Sequence, residues 1–561
     1  MKKKLDVIIP SATLVPKELQ NIGKLPGIIY PVNQRIVFDY LYDQYKTIDG
    51  VIDILCYEAE DKVRHRLASY VDKKIQIKTL PKLDDLGHTL YFGLASTNTP
   101  ILINFADTII MDDVLNIEGD AIYYSEDHLS ETWTFFEEKN GTITTIYDKE
   151  DIKSEEKRKM FVGLFLITDV RLFRSCLEIA FQMKDLHIST FYYALFLYSE
   201  KKPMQIIKVD NWFDIGHADT YNNSNLEVKA REFNHITIDK NRGILKKTSD
   251  DKDKFIGEIL WYLKLPTDIE YVRPRIFSYS TSYTDAYVSM EYYAYHTLHE
   301  LFLSGDLNYN QWVSIFNRIR FVCDDFKRYT VCDEKIQPAL EDMYFTKTIQ
   351  RFNKMENNES FKSFFNNTIN INSVKYKSLK DICEVLEQVI PEMLYDVDTF
   401  HIIHGDLCFA NIMIDNNHSF IKVIDPRGKF GTYDIYGDTR YELAKLFHSV
   451  DGKYDYIIKD LFTIDYNTED AVVNYKISDV DRDFDLYELF TKIFATEIGD
   501  DLKKIELIEA LLFLSMIPLH GESLNHQMAM LGTGIEILNR VVDITEKSSD
   551  RQEFLGGNSH V

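Results

Sequence analysis

The segment FHIIHGDLCFANIMIDNNHSFIKVIDPRG, residues 400–428, carries the strongest fold signal in the chain. Two short apolar runs flank Asp-Asn-Asn at 415–417, a sequence typical of a turn, so we predict a β-hairpin over residues 412–424. The two strands of a hairpin return the chain to its starting point. We therefore expect Asp425, just after the hairpin, to lie beside Asn411, just before it.

Side chains in and before this hairpin have the chemistry that phosphoryl transfer requires. The reaction needs a divalent metal to neutralise the triphosphate and a group that orients the attacking hydroxyl. Asn411 and Asp425 offer oxygen ligands of the kind that Mg²⁺ prefers. Asp406 lies in a loop and can accept the hydroxyl proton, while His404 and Gly405 can hold that loop in shape. The same order of parts occurs in the protein-kinase catalytic loop and its metal-binding aspartate.

With His404-Gly405-Asp406 and Asn411, the loop resembles the aminoglycoside phosphotransferase and choline/ethanolamine kinase group, which reads H-G-D-x-x-x-x-N. The resemblance covers residues 230–540 approximately. It implies an α+β, bilobal, protein-kinase-like domain that phosphorylates a small alcohol or sugar with ATP. It also implies that Asp406 is the catalytic base with His404 beside it, and that Asn411 and Asp425 bind Mg²⁺.

The resemblance further implies a lysine on the ATP phosphates that is held by a helical glutamate. GILKKTS (243–249) and DKFIGEILWYL (253–263) supply both, and we assign Lys247 and Glu258. Successive residues of a strand point to opposite faces, so only one of Lys246 and Lys247 can face ATP. The alternative is that both lysines are solvated and the glutamate lies on the surface.

Met290, Glu291 and Tyr292 occupy the place where such kinases hold adenine through backbone groups, and a plain buried strand is the alternative. The first strand pair, REFNHITIDKNRG (231–243), departs from the protein-kinase pattern because it has no GxGxxG over the phosphates.

The first two hundred residues alternate β-rich runs with helical ones, which predicts a parallel sheet covered by helices. Six pieces of this half resemble, in order, the sugar-phosphate and choline-phosphate nucleotidyltransferases over residues 5–225. They are VIIP (7–10), LPGIIYPVNQRIVFDYLYDQ (25–44), LGHT (86–89), PILINFADTII (100–110), FVGLFLI (161–167) and NWFDIGHADTY (211–221).

This resemblance implies a Rossmann-like α/β domain of GT-A type. In the family a strand-end aspartate and a second one in the W-x-D-x-G turn share a Mg²⁺ that bridges the nucleotide phosphate. Asp107 and Asp214 occupy these places. The implied reaction is attack of a phosphomonoester on the α-phosphate of a nucleoside triphosphate such as CTP or UTP. The alternative is that both aspartates make only structural hydrogen bonds.

The first loop of this half departs from the family. The family loop is rich in glycine and ends in arginine, so that backbone N–H groups wrap the triphosphate. This chain has SATLVPKELQNIGK at 11–24 instead. The family lysine before Pro-Val is also displaced, with Gly27 near its place and Lys17 and Lys24 as candidate substitutes.

Composition limits the partners. The chain of 561 residues has 64 Lys and Arg against 89 Asp and Glu, a formal net charge of −25, which disfavours nucleic acid and anionic membranes as partners. No apolar stretch approaches the roughly 18 residues of a membrane span. The N-terminus is not typical of a signal peptide, and the six cysteines form no CxxC pair, so we expect a cytoplasmic protein with reduced thiols.

We predict four segments: a nucleotidyltransferase-like domain at 1–225, a kinase N-lobe at 226–295, a mainly helical C-lobe at 296–548 and a flexible tail at 549–561. The polar stretch at 218–234 is the predicted boundary. Within the C-lobe, the hairpin over 412–424 is the only predicted interruption of the helices.

The leading hypothesis is a bifunctional enzyme of surface-polysaccharide precursor synthesis. One alternative is a small-molecule kinase with a catalytically inactive, nucleotide-sugar-binding N-terminal domain, and another is a pseudokinase scaffold. The acidic charge and the 13% aromatic content suit a cationic acceptor such as choline, but composition does not distinguish choline from a sugar.

Overall fold

The computed structural model describes residues 4–32, 35–70, 74–128, 132–150, 157–183, 186–217, 220–221, 236–239, 241–304, 306–415, 417–480 and 482–546, without the side chains of Ser96 and Ser304. The chain divides into two compact units, Met1–Asn234 and His235–Val561. The two predicted kinase lobes belong to the second unit. Most of the predicted boundary at 218–234 and the whole predicted tail lie outside the described residues.

The described part of the first unit contains thirteen strands and five α-helices. The strands are β1 (Asp6–Ser11), β2 (Pro31–Val32), β3 (Arg35–Ile36), β4 (Ile52–Cys56), β5 (Ile75–Thr79), β6 (Ile101–Asn104), β7 (Thr108–Ile110), β8 (Ala121–His128), β9 (Thr134–Lys139), β10 (Thr142–Asp148), β11 (Lys157–Ile167), β12 (Gln205–Lys208) and β13 (Trp212–Asp214). The helices are α1 (Val37–Tyr45), α2 (Glu60–Arg66), α3 (Leu86–Gly93), α4 (Val170–Gln182) and α5 (Thr190–Lys201).

The main sheet of this unit has the order β10-β9-β11-β6-β1-β4-β5, with β8 on β11 and β12 on β8. Strands β6, β1, β4 and β5 are parallel, as predicted. The prediction of a wholly parallel sheet is wrong, because β11 runs antiparallel to β6 and pairs with β8 and β9 in the same sense. Asn140 and Gly141, with φ of 52° and 81°, join β9 to β10 as a two-residue hairpin, and Asn-Gly is a strong signal for such a turn.

The parallel strands form the centre of the core. Ile8, Leu55 and Ile103, from β1, β4 and β6, have no solvent exposure and pack in one cluster with residues of α3, α4 and α5. Strands buried on both faces read as continuous apolar runs, which is why the sequence signal was clear here. The central strands end at one edge of the sheet, where Asp107 follows β6.

The described part of the second unit contains fourteen further strands and thirteen α-helices. The strands are β14 (Ile236–Asp239), β15 (Ile244–Lys247), β16 (Ile276–Ser280), β17 (Tyr287–Glu291), β18 (His296–Thr297), β19 (Thr330–Val331), β20 (Ile369–Ile371), β21 (Val374–Tyr376), β22 (Phe400–Ile402), β23 (Ile412–Ile414), β24 (Ile421–Val423), β25 (Tyr436–Gly437), β26 (Phe462–Asn467) and β27 (Val472–Ile477). The helices are α6 (Lys252–Lys264), α7 (Leu298–Ser304), α8 (Tyr309–Lys327), α9 (Ile336–Leu340), α10 (Lys347–Glu356), α11 (Lys362–Asn366), α12 (Leu379–Leu394), α13 (Thr439–Val450), α14 (Tyr454–Ile457), α15 (Leu486–Ile493), α16 (Ala495–Ile498), α17 (Leu502–Met516) and α18 (Leu524–Val541).

The second unit begins with an antiparallel sheet of order β14-β15-β17-β16, with α6 inserted between β15 and β16. Helix α6 is capped by Asp251, whose side chain accepts a hydrogen bond from the Lys254 N–H. Its buried face includes Trp261, whose indole N–H donates to the Ile403 carbonyl at 2.7 Å. This bond ties α6 to the segment that leads into the predicted catalytic loop.

The predicted hairpin is confirmed: β23 and β24 pair antiparallel, with Ile412 opposite Val423. Asp415 closes its turn by accepting hydrogen bonds from the Ser419 and Phe420 N–H groups, both at 2.7 Å.

The prediction of a single interruption of the helices is wrong. Besides the sheet that contains the hairpin, the described C-terminal part has two more sheets, of order β19-β22-β25 and β21-β20-β27-β26. Strand β26 alternates half-buried and exposed residues throughout, so it lacks the apolar run that marks a strong strand signal. Among the described residues, no helix combines the length and the apolarity needed to cross a membrane.

Candidate functional sites

The hairpin brings the predicted catalytic residues of the second unit together. Asn411 Nδ2 donates to the Asp406 carbonyl at 2.9 Å and to Asp406 Oδ2 at 3.2 Å. The Ile424 N–H donates to the Asn411 carbonyl at 3.0 Å, which places the start of the hairpin beside its end. Asp425 follows directly, with φ of 56°, a left-handed conformation that aspartate adopts more readily than most residues.

His404 lies beneath this loop and has no solvent exposure. Its Nε2 is 2.9 Å from the Ile424 carbonyl, so Nε2 carries the proton and donates it, and its own carbonyl accepts from the Arg427 N–H at 3.0 Å. Burial lowers the pKa of His404 to about 4, so the ring is neutral. His404 is therefore a positioning residue that connects the loop to the segment after the hairpin.

Gly405 makes the sharp turn between His404 and Asp406. Its φ is 76°, and a Cβ at this position would lie 2.9 Å from the Arg427 Cβ. Its N–H donates to Glu442 at 3.3 Å, and the His404 N–H donates to the same carboxylate. A residue with a side chain at 405 would be both strained and crowded.

Asp406 has a cationic partner that the sequence reasoning missed. Lys445 Nζ on α13 lies 2.9 Å from Asp406 Oδ1, and the lysine side chain is 9% exposed. Burial alone would raise the pKa of Asp406, but the ammonium of Lys445 outweighs it and lowers that pKa to about 2. Asp406 is therefore ionised at neutral pH, as a base must be.

A signal for Lys445 was present in the sequence. Glu442, Lys445 and His448 recur every three residues on α13, so all three face the same side, and all are buried. Charged residues at helical spacing inside an otherwise apolar helix indicate a functional or paired cluster. The ring nitrogens of His448 have no hydrogen-bond partner in the described part of the chain.

Lys247 joins the small sheet to the hairpin. Its ammonium donates to Glu258 Oε1 and Oε2 at 2.9 and 3.0 Å, and to Asp425 Oδ1 at 2.8 Å. Burial, and then the charge of Asp425, raise the pKa of Glu258 to about 7. Lys246 points the other way, with its ammonium 4.3 Å from the centre of the Tyr287 ring. The structure thus brings Lys247, and not Lys246, to Glu258 and Asp425.

The predicted adenine segment is part of the small sheet. Met290 is buried on β17, opposite Leu245 and Ile276. The Glu291 N–H donates to the Arg275 carbonyl and the Tyr292 N–H to the Gly243 carbonyl, both at 2.8 Å. The N–H groups of Glu291 and Tyr292 are therefore engaged within the sheet and not free to bind an adenine.

A cavity of about 910 Å³ opens in front of this cluster within the second unit. Asp406, Asp425 and Lys445 line it, as does Gly257 of α6. Its other walls come from α10, α17 and the segment after Asp425. The volume lies in the range of small-molecule binding clefts.

In the first unit, Asp107 and Asp214 form a second candidate site. The Ile215 N–H donates to the Asp107 carbonyl at 2.8 Å, and a Cβ on Gly216 would lie 2.6 Å from Asp107 Oδ2 and 3.2 Å from Asp214 Oδ1. The close passage of Gly216 lets the two carboxylates approach each other. Burial, and then the Asp214 charge, raise the pKa of Asp107 to about 6.

His217 is a neighbour of this pair that the sequence reasoning did not assign. Its Nδ1 lies 3.0 Å from Asp214 Oδ2, and this hydrogen bond raises the pKa of His217. The ring centre of Trp133 is 5.0 Å from that of His217.

Lys17 and Lys24, the candidate substitutes for the family lysine, belong to the loop after β1. Lys17 starts a 3₁₀ helix, Lys17–Ile22, and both Lys17 and Lys24 are exposed. Gly27 lies against Asp107, with its Cβ position 3.4 Å from the Asp107 Cβ, and brings no cation there. A hydrogen bond from the Leu14 N–H to Glu58 Oε2 holds this loop. Its sequence, SATLVPKELQNIGK, is not that of a glycine-rich phosphate loop.

Both donor sets fit Mg²⁺. Asn411 offers an amide oxygen and Asp425 a carboxylate that lines the cavity. Asp107 and Asp214 offer two carboxylates whose mutual repulsion a divalent cation would relieve. Oxygen donors of this type favour hard cations over zinc.

No family model matches the sequence, and no curated protein matches it. Solved structures do match, over about the N-terminal 40% of the chain. A CTP:phosphocholine cytidylyltransferase from Streptococcus pneumoniae has a TM-score of 0.33 and 13% identity, with 41% of this chain and 100% of that chain covered. An inositol-1-phosphate CTP transferase from T. maritima has a TM-score of 0.31 and 13% identity, with 41% and 98% covered.

A protein described as a glucose-1-phosphate thymidylyltransferase from Bacillus anthracis has a TM-score of 0.33 and 15% identity, with 40% of this chain and 95% of that chain covered.

Proposed function

We propose that the second unit is an ATP-dependent kinase for a small alcohol or sugar. The observation that carries the proposal is the contact of Lys247 with both Glu258 and Asp425. Lys247 belongs to strand β15, Glu258 belongs to helix α6, and Asp425 follows the hairpin. Asp425 is 178 residues from Lys247 in the sequence, and its contact with the Lys247–Glu258 pair supports a site for a triphosphate and its metal. A chance polar loop would not explain this convergence.

The residues have separate roles in the proposed reaction. Asp406 accepts the proton of the acceptor hydroxyl, whose oxygen forms a bond to the γ-phosphorus while the bond to the ADP oxygen breaks. Lys445 keeps Asp406 ionised, and Lys247 holds the phosphates. Mg²⁺ bound by Asn411 and Asp425 would neutralise the charge of the triphosphate.

For the first unit we propose nucleotidyl transfer from CTP or UTP to a phosphomonoester, with Asp107 and Asp214 as ligands of Mg²⁺. The close approach of two carboxylates, Asp214 buried and Asp107 half-buried, supports a cation there. Together, the two reactions would produce a nucleotide-linked building block of the kind used for surface polysaccharides, in the cytoplasm where nucleoside triphosphates are available. The structured loop after β1 favours a second candidate, a first unit that binds a nucleotide sugar without catalysis.

Lys247 and Lys246 provide a test with a matched control. We expect Lys247→Met to lower kcat/KM for ATP by about 10²-fold, because a preorganised cation on the phosphates is lost. Lys246→Met, one residue earlier and on the opposite face, should leave ADP release unchanged. Equal effects of the two substitutions would contradict the assignment of the phosphate site.

The two activities can be measured separately in the full chain. ADP release with ATP and Mg²⁺ across amino alcohols, sugars and polyols tests the kinase, and pyrophosphate release with CTP or UTP and phosphomonoesters tests the first unit. ADP release without pyrophosphate release would leave the first unit as a binding module. Absence of ADP release across the whole panel would reject the kinase and favour a scaffold.

A further inference from the structure

The wall of the cavity beyond Asp406 is strongly basic. Lys347 and Arg351 project from one face of α10, since they are four residues apart, and Arg427 and Lys429 follow the hairpin. The chain as a whole carries a net charge of −25, so composition does not account for four cations in one wall. We call these four residues the basic wall.

The charges of the basic wall are poorly neutralised within the protein. Lys347 lies 3.3 Å from Asp342 Oδ2, and Arg427 donates to the neutral hydroxyl of Tyr441 at 2.8 Å. In the described part of the chain, Arg351 and Lys429 have no carboxylate within ion-pair distance. Burial lowers the pKa of Lys347, and the charges of Arg427 and Lys429 lower it further. Such mutual repulsion is relieved by an anion.

Four acidic residues line the cavity, and three of them, all but Asp253, are paired with a lysine. Asp406 pairs with Lys445, Asp425 with Lys247, and Asp434 with Lys264. Helix α17 contributes apolar side chains such as Leu511 and Leu512 to the cavity. Tyr344, Tyr441 and Tyr454 also line the cavity, but a quaternary ammonium bound there would have to lie close to the four cations of the basic wall.

We propose that the acceptor is an alcohol that carries its own anionic group, a phosphate or a carboxylate, bound by the basic wall while its hydroxyl faces Asp406. This inference rests on the proposed kinase function and narrows its substrate class. The four residues of the basic wall line the cavity, whereas Lys247 of β15 is not among the described residues that line it. Composition left choline and a sugar open as acceptors, and the inference favours an anionic alcohol over choline.

The test uses the full chain with ATP and Mg²⁺ and four acceptors: choline, glycerol, sn-glycerol 3-phosphate and D-glycerate. We expect kcat/KM to be at least about 10-fold higher for the anionic acceptors than for choline and glycerol, because charge-assisted hydrogen bonds exceed neutral ones. Comparison of kcat/KM for sn-glycerol 3-phosphate with kcat/KM for D-glycerate shows whether the acceptor's anionic group is a phosphate or a carboxylate.

The double variant Lys347→Gln, Arg351→Gln should raise KM for the anionic acceptor about 10²-fold and leave KM for ATP unchanged. Lys354→Gln is the matched control, because Lys354 is an exposed lysine of the same helix. A parallel rise in KM for ATP would show that the basic wall serves the ATP phosphates and would overturn the inference.

The inference and the proposed function fail in different ways. Faster turnover of choline or glycerol keeps the kinase and overturns the anionic acceptor. Absence of ADP release with every acceptor rejects the kinase. Calorimetry with sn-glycerol 3-phosphate then tests the basic wall alone: binding that the double variant loses supports an anion site, and absence of binding overturns it.

Discussion

Asp406→Asn is expected to lower kcat for ADP release by about 10²-fold to 10⁴-fold, the range that a positioned general base contributes. Asparagine has nearly the same shape but does not accept the hydroxyl proton. Binding of a non-hydrolysable ATP analogue with Mg²⁺ should persist, because Lys247, Asn411 and Asp425 are unchanged. Steady-state kinetics and calorimetry on the same protein check both halves of this expectation.

Asp398→Asn is the control for this substitution, since Asp398 is exposed and precedes β22 in the same segment. Lys445 would lose its partner in Asp406→Asn, so circular dichroism must show that the variant is folded. If a folded Asp406→Asn variant keeps the wild-type kcat, the second unit does not use this base. Unchanged behaviour in every assay would favour the scaffold alternative.

Asp107→Asn is expected to reduce pyrophosphate release by the first unit about 10²-fold or more, because a metal ligand provides several kcal/mol of charge stabilisation. ADP release by the second unit should be unaffected. Asp107 is half-buried beside another carboxylate, so removal of its charge should not lower the melting temperature measured in EDTA. Stabilisation by CTP or UTP with Mg²⁺ should be lost.

This pattern separates a metal site from a structural role. If Asp107 served only to hold the fold, asparagine would lower the melting temperature in EDTA without a specific loss of activity. Asp210→Asn, at an exposed aspartate before β13, is the control and should change neither property. Wild-type protein that binds CTP or UTP but releases no pyrophosphate would support the binding-module alternative.

The helix-covered parallel strands and the hairpin were predictable because their signals are local. Strands buried on both faces have continuous apolar runs, and a hairpin turn is encoded by adjacent residues such as Asp415. The antiparallel strands β8, β9 and β10 were not predicted, although Asn140-Gly141 is a typical hairpin turn and joins β9 to β10. The sheet that contains β26 and β27 was not predicted, because the residues of β26 alternate between half-buried and exposed and so give no clear apolar pattern in the sequence.

Residue types and spacing were sufficient to single out His404, Asp406, Asn411 and Asp425, because a short loop and a tight hairpin hold them within one segment. The three-residue spacing of Glu442, Lys445 and His448 hinted at a buried cluster, but not at its partner. The choice of Lys247 over Lys246 and the pairing of Lys445 with Asp406 depend on how α6 and α13 pack. The basic wall likewise arises only when α10 and the segment after Asp425 meet at one cavity. Local pattern sets which groups can do chemistry, whereas long-range packing sets which charges face each other, because charges remote in sequence interact only after the chain has folded.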